Sequence, residues 1–313
     1  MQNSFVAYLF PGQGSQVMGM GKDFAMKYSS ARYTFEEADD SLGFSLSRII
    51  WEGPEKLLND TVNTQPALLV VSIAAMRVME NIRPEINPRY VAGHSMGQLS
   101  ALVASRAMSF TDALKLTRRR GEVMKKAGEK SPGKMAAILG LDIDKVEVLC
   151  RQASNQQELV QIANDNCPGQ VVISGSSTAV DLVCEYAKTE GARKARELNV
   201  SIPAHSSLMN SAQLEFNEAV TAAPINEPSR PIVSNISGKP IYSPKAIRNE
   251  LNAQLTSRVR WTESILNMID LGVQTFIELG SKSVLTGLLK RINNQVVGIS
   301  IEKSIDFEKL NQE

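Results

Sequence analysis

The chain of 313 residues predicts an α/β fold, a large domain around a parallel sheet interrupted by one small inserted subdomain. Two observations carry this expectation. Strand-like and helical runs alternate at both ends of the chain, the order that places crossover helices between parallel strands. In the middle the order becomes β-α-β-β-α-β, the ferredoxin-like arrangement, entered through the turn Ser131-Pro132-Gly133. The predicted division assigns 1–127 and 200–313 to the large domain and 128–199 to the subdomain.

The apolar run Phe5 to Phe10 reads as the first strand, followed by a helix near Gln65 to Asn81. Tyr90 and Val91 lead as a strand into Gly93, and a helix is expected from Gly97 to Ala104. Another begins at Thr111, with Ser109 as its N-cap. The subdomain takes strands from Lys134 to Gly140, Leu159 to Ala163, Gln170 to Ser174 and Ala192 to Leu198, with helices at Asp142 to Ala153 and Thr178 to Lys188. The α/β rhythm then returns: a strand ends at Val233 and Ser234, a helix covers Thr262 to Leu271, and strands follow at Gln274 to Glu278 and Val297 to Ile301.

Composition narrows the function classes. Hydrophobic residues at 43% and charged residues at 21% are ordinary globular values, and 34 Lys plus Arg nearly cancel 33 Asp plus Glu, so no basic surface for nucleic acid is indicated. Cys150, Cys167 and Cys184 lack CxxC spacing and are odd in number, which fits a reducing cytoplasm better than a disulfide framework. No Lys or Arg precedes Lys22, so Phe5 to Phe10 lacks the charged flank of a signal peptide. The apolar stretch Ala67 to Met79 is shorter than a bilayer span and is expected as a buried helix, with no membrane segment.

Gly93-His94-Ser95-Met96-Gly97 follows a strand and opens a helix, the context of a nucleophile elbow, where small residues permit a sharp turn exposing the serine oxygen. A serine hydroxyl needs a base, usually histidine. The sequence holds two histidines. At a tight turn the ring of His94 should point away from its neighbour's hydroxyl, so by elimination His205 is the base if Ser95 is catalytic. Phe10-Pro11-Gly12-Gln13-Gly14-Ser15-Gln16 lacks the Lys of a phosphate-binding loop; an oxyanion hole from the N–H groups of Gln13 and Met96 suits acyl transfer better. On the helix from Thr111, Arg120 shares the apolar stripe of Ala113, Leu116, Val123 and Ala127, whereas Arg119 lies on the polar face. A guanidinium on a buried face needs an anion, either an internal carboxylate or that of a substrate.

These segments, with Asn164 through Pro168-Gly169-Gln170, Pro203-Ala204-His205-Ser206 and Gln254-Leu255, resemble in order the malonyl-CoA:acyl carrier protein transacylases, including free-standing acyltransferases of polyketide synthases. The similarity spans nearly the whole chain. It implies an α/β-hydrolase-like large domain with a ferredoxin-like insertion and the active site between them. It also implies that Ser95 is acylated, that His205 is its base, oriented by the backbone carbonyl of Gln254, and that Gln13 and Met96 supply the oxyanion hole. Arg120 then pairs with the malonyl carboxylate, and Asn164 matches an asparagine near the acyl site. The implied reaction is ping-pong, with malonyl-CoA and an acyl carrier protein as partners, no metal or redox cofactor, and coenzyme A entering only as a substrate.

Three positions depart from the family pattern. Gln98 stands where Glu is usual, Ala204 where malonyl-selective polyketide enzymes often carry Phe, and Arg258 where Pro is found. Gln98 leaves open an acyl hydrolase of the same fold that clears carrier proteins, against which Arg120 argues, since such hydrolases act mainly on groups without a free carboxylate. A non-catalytic docking subunit is disfavoured by the joint presence of Ser95, His205 and Arg120.

Overall fold

The computed structural model describes residues 5–198, 200 and 202–311. Eleven strands are described: β1 (Phe5–Phe10), β2 (Tyr90–Gly93), β3 (Lys134–Leu139), β4 (Val160–Cys167), β5 (Gln170–Gly175), β6 (Lys194–Glu197), β7 (Ile232–Val233), β8 (Pro240–Ile241), β9 (Val259–Arg260), β10 (Val273–Leu279) and β11 (Val297–Ile301). They form two sheets, ordered β11-β10-β1-β2-β7-β8 and β6-β3-β5-β4-β9.

The first sheet is parallel from β11 to β7, with β8 added antiparallel at one edge. Its central strand β1 is covered on both faces: Tyr8 and Phe10 enter one core and Ala7 and Leu9 the other. That explains why β1 reads as an unbroken apolar run rather than an alternating one. The helix Thr61–Ile82 is long and apolar enough to cross a membrane, but it lies inside the protein, with Leu68 to Val71 fully buried. It begins four residues before the expected start because the Asp60 side chain accepts the Val62 N–H and caps it there.

In the second sheet β3 pairs antiparallel with β5 and β6, and β4 antiparallel with β5. The helices Ile143–Ala153 and Ser177–Thr189 close one face, bringing their Val146 and Val183 into one core with Ile138 and Ile173 of the sheet. The division at residue 128 falls inside the helix Phe110–Lys130, which runs on to the 131–133 turn; residue 199 lies outside the described residues. Strand β9 adds a member from far along the chain, parallel to β4. Strand β4 also runs past the expected Ala163 to Cys167, because Asn164, Asp165 and Asn166 are buried polar residues that hide the strand pattern.

Candidate active site

The serine turn is built from glycines that have no room for a side chain. A Cβ on Gly93 would lie 1.9 Å from the Gly97 carbonyl, one on Gly97 2.2 Å from the Phe10 carbonyl oxygen, and one on Gly12 2.5 Å from the His94 carbonyl oxygen. The close approach folds the loop after β1 onto the elbow. Ser95 sits at φ 53, a left-handed conformation costing a non-glycine residue about 1–3 kcal/mol. Asn235 holds it there: its Oδ1 accepts the Ser95 N–H at 2.7 Å while its Nδ2 donates to the Gly93 carbonyl and to Gln98 Oε1, both at 2.8 Å. Glu250 in turn accepts the Asn235 N–H at 2.7 Å.

Ser95 Oγ lies 2.7 Å from His205 Nε2. The other ring nitrogen, Nδ1, is 3.0 Å from the carbonyls of both Gln254 and Ser257. Carbonyls only accept, so Nδ1 carries the proton and Nε2 presents its lone pair to the serine hydroxyl. Two backbone carbonyls thus do the orienting, Ser257 in addition to the expected Gln254. The His205 N–H donates to the Leu255 carbonyl at 2.9 Å, and Gln161 on β4 donates to the His205 carbonyl at 3.2 Å. Burial, then the charge of Arg120, push the His205 pKa down to about 3, which keeps the ring neutral.

Arg120 is 2% exposed and, among the described residues, makes no salt bridge to a carboxylate. Its Nη1 donates to Gln65 Oε1 at 2.7 Å, and its Nη2 to Ser95 Oγ and Gln254 Oε1, both at 3.2 Å. Its Nε is buried and unpartnered. Burial alone lowers its pKa to about 9, still protonated at neutral pH. A buried cation held beside a nucleophilic oxygen by neutral partners only has the capacity to pair with an anion. Arg119, one position earlier, is half exposed and pairs with Glu215 at 2.8 Å, as its polar face requires.

His94 points away from Ser95. Its ring packs on Trp261 with centroids 5.3 Å apart, and its Nε2 meets Asn166 Oδ1 at 2.8 Å. Asn164, on the same strand, is buried, and among the described residues its side chain makes no hydrogen bond to the Ser95–His205–Arg120 group. Gln13 is exposed on its loop, its Oε1 accepting from Thr61 Oγ1 at 3.0 Å. Among the described residues the backbone N–H groups of Gln13 and Met96 have no acceptor.

Gln98 is buried behind the elbow, accepting from Asn235 and donating to the Val233 carbonyl at 3.3 Å, two bonds that an ionised Glu could not make together. Ala204 is half-buried against Met135, Ala163 and Val172. Arg258 pairs with Glu263 at 3.6 Å. Asn235, Gln65 and Gln161 escaped sequence reasoning, since each lies far along the chain from what it holds and carries no local motif.

An acyl transferase domain model matches residues 7–309. The chain is 44% identical, over 95% of its length and 93% of the relative's, to the malonyl CoA-acyl carrier protein transacylase of Bacillus subtilis (strain 168). Its fold superposes with a TM-score of 0.93 on the acyl-carrier-protein-S-malonyltransferase of Bartonella henselae, at 42% identity and 98% coverage of both chains. A malonyl-transacylase solved in complex with a type II polyketide acyl-carrier protein superposes at 0.96, with 38% identity, 99% coverage of this chain and 100% of that one.

Proposed function

The chain belongs to the acyl transferase domain family, and from that premise we propose that it moves a malonyl group from malonyl-CoA to the phosphopantetheine thiol of an acyl carrier protein through malonyl-Ser95. The observation that carries this reading is the Ser95 oxygen lying between His205 Nε2 at 2.7 Å and the carboxylate-free Arg120 Nη2 at 3.2 Å.

His205 takes the Ser95 proton as Oγ attacks the thioester carbonyl. The N–H groups of Gln13 and Met96 receive the oxyanion. The C–S bond breaks, coenzyme A leaves with the proton from His205, and the acyl group stays on Ser95. In the second half the carrier thiol loses its proton to His205, attacks the ester carbonyl and restores the serine. Both half-reactions are acyl exchanges without change of oxidation state, so the chemistry calls for no redox cofactor. Arg120 fixes the malonyl carboxylate with two parallel hydrogen bonds, which an acetyl group cannot use. A carboxylate there also offsets the charge that depresses His205, so substrate raises the basicity of its own base. Asn164 is proposed near the acyl chain, as the resemblance implies.

The parallel sheet with its elbow after β2 is read as α/β-hydrolase-like, and the β6-β3-β5-β4 order as ferredoxin-like, with the units 1–127 plus 200–313 and 128–199. Free thiols at Cys150, Cys167 and Cys184 fit a cytoplasmic site of action. The hydrolase alternative loses its support, because Gln98 faces Val233 and Asn235 rather than the reacting atoms.

Intact-mass measurement tests the proposal: malonyl-CoA should add one malonyl group to the protein, and holo carrier protein should then remove and carry it. Loss of that mass to water, with the carrier unmodified, would establish the hydrolase instead.

A further inference from the structure

Resting on the malonyl-transfer reading, we propose that Thr61 is a positioning residue that ties the Arg120 carboxylate site to the oxyanion loop at Gln13. Arg120 has only donors, so its Nη1 bond at 2.7 Å must end on Gln65 Oε1. That choice turns the Gln65 amide nitrogen the other way, where Nε2 donates to Thr61 Oγ1 at 2.8 Å. With a lone pair so engaged, the Thr61 hydroxyl donates onward to Gln13 Oε1 at 3.0 Å. Every bond in the relay therefore points away from the guanidinium, and successive bonds of one sense polarise one another.

Thr61 and Gln65 stand one turn apart on the 61–82 helix, 5% and 0% exposed, whereas Gln13 lies on an exposed loop. Threonine at a helix start ordinarily serves as the cap, but Asp60 fills that role here. The hydroxyl is thus free for the loop, and among the described residues Thr61 is the side chain that holds the Gln13 side chain. A carboxylate arriving at Arg120 draws on the guanidinium that polarises this relay. Occupancy of the acid site is thereby communicated to the residue whose N–H must meet the oxyanion, placing part of the discrimination between malonyl and acetyl groups in kcat rather than in binding.

The test is acylation of Ser95 by malonyl-CoA and acetyl-CoA in wild type, Thr61→Val, Thr61→Ser and Gln13→Leu, with Thr61→Val and Gln13→Leu repeated in an Arg120→Ala background. Thr61→Val should lower kcat for malonyl-CoA about tenfold with KM within about twofold, the size expected of a misplaced reacting group. Thr61→Ser should restore it. Gln13→Leu, which keeps the N–H but removes the acceptor at the exposed end of the relay, should reproduce the loss and decides the matter should Thr61→Val not fold. In the Arg120→Ala background each loss should shrink to less than about twofold, because the source of polarisation is gone. An unchanged kcat, a Ser variant as poor as Val, or an equal loss without Arg120 overturns the inference. A wild type that malonyl-CoA fails to acylate overturns the functional reading, and this inference with it.

Discussion

Gly121 and Thr61 meet across two helices with no space for a side chain: a Cβ on Gly121 would lie 2.8 Å from the Thr61 carbonyl oxygen and 2.9 Å from the Val62 Cα. The obstruction is backbone, so it cannot rotate aside. Arg120 reaches Gln65 because the 110–130 helix approaches the first turn of the 61–82 helix this closely. Gly121→Ala should part the helices, costing about 1–3 kcal/mol of stability by overpacking. Acylation by malonyl-CoA should fall more than acylation by acetyl-CoA, since the acid site is what moves. Urea unfolding alongside the two acylation rates checks this; a stability loss with the substrate ratio unchanged would separate Gly121 from the carboxylate site.

Arg120→Ala leaves the malonyl carboxylate desolvated and without a partner, a penalty of about 2–5 kcal/mol by analogy with truncated buried charge pairs. This corresponds to roughly 30- to several-thousand-fold lower kcat/KM for malonyl-CoA. Acetyl-CoA strands no charge, and its rate should hold or rise. Because the guanidinium has no carboxylate partner among the described residues, its removal leaves no buried anion behind among them, and circular dichroism should report an intact fold. Equal loss for both substrates would show that Arg120 only supports the structure.

Asn235→Ala removes the acceptor of the Ser95 N–H and the donor to Gly93 and Gln98. Leaving these buried groups unpaired should cost about 1–3 kcal/mol of stability. The elbow would relax from φ 53, and acylation by malonyl-CoA and acetyl-CoA should fall together, since neither carboxylate recognition nor His205 is touched. A malonyl-specific defect would contradict this assignment.

Burial and the charge of Arg120 hold the His205 pKa at about 3, below its ordinary 6.5. Two consequences carry definite signs. The kcat/KM for malonyl-CoA should show no acid limb from His205 between about pH 8 and pH 5, because kcat/KM reports the free enzyme; in Arg120→Ala the limb should move upward. For stability, the unfolded chain takes up a proton below 6.5 while folded His205 stays neutral. Its contribution is therefore present above that pH and lost as pH falls toward the folded value, by up to about 1.4 kcal/mol per pH unit. His205→Asn should show a shallower loss between urea titrations at about pH 7 and about pH 5. An identical slope would mean that the ring is protonated in the folded state.

The chemistry of this site was legible in the sequence where geometry forbids alternatives. Gly93, Gly97 and Gly12 are written into motifs because no other residue fits there, and Arg120 betrayed itself by interrupting an apolar stripe. The parallel sheet showed through β1 for the same reason, its residues being buried on both faces. What stayed hidden was whatever long-range contact decides. Asn235 is an unremarkable polar residue until β7 brings it beside Ser95, and Gln65 is an ordinary helix residue until Gly121 admits the neighbouring helix. The two-residue strands β7, β8 and β9 have no periodicity to detect, and short helices such as Leu46–Glu52 and Pro244–Leu251 span too few turns to announce a face.

Strand β9 and Gln161 give the proton-transfer pair a mechanical character. Ser95 is carried by the parallel sheet through β2, whereas the His205 loop is stitched to the other sheet: Gln161 on β4 binds the carbonyls of His205 and Thr256 and accepts the Ser207 N–H. The carbonyls of Gln254 and Ser257 that aim the imidazole lie just ahead of β9, itself laced to β4. The contact of 2.7 Å between serine and histidine is therefore a joint between elements anchored in the two sheets. A change that moves Gln161 or the segment ahead of β9 would therefore reach the nucleophile through its base, without touching Ser95 itself.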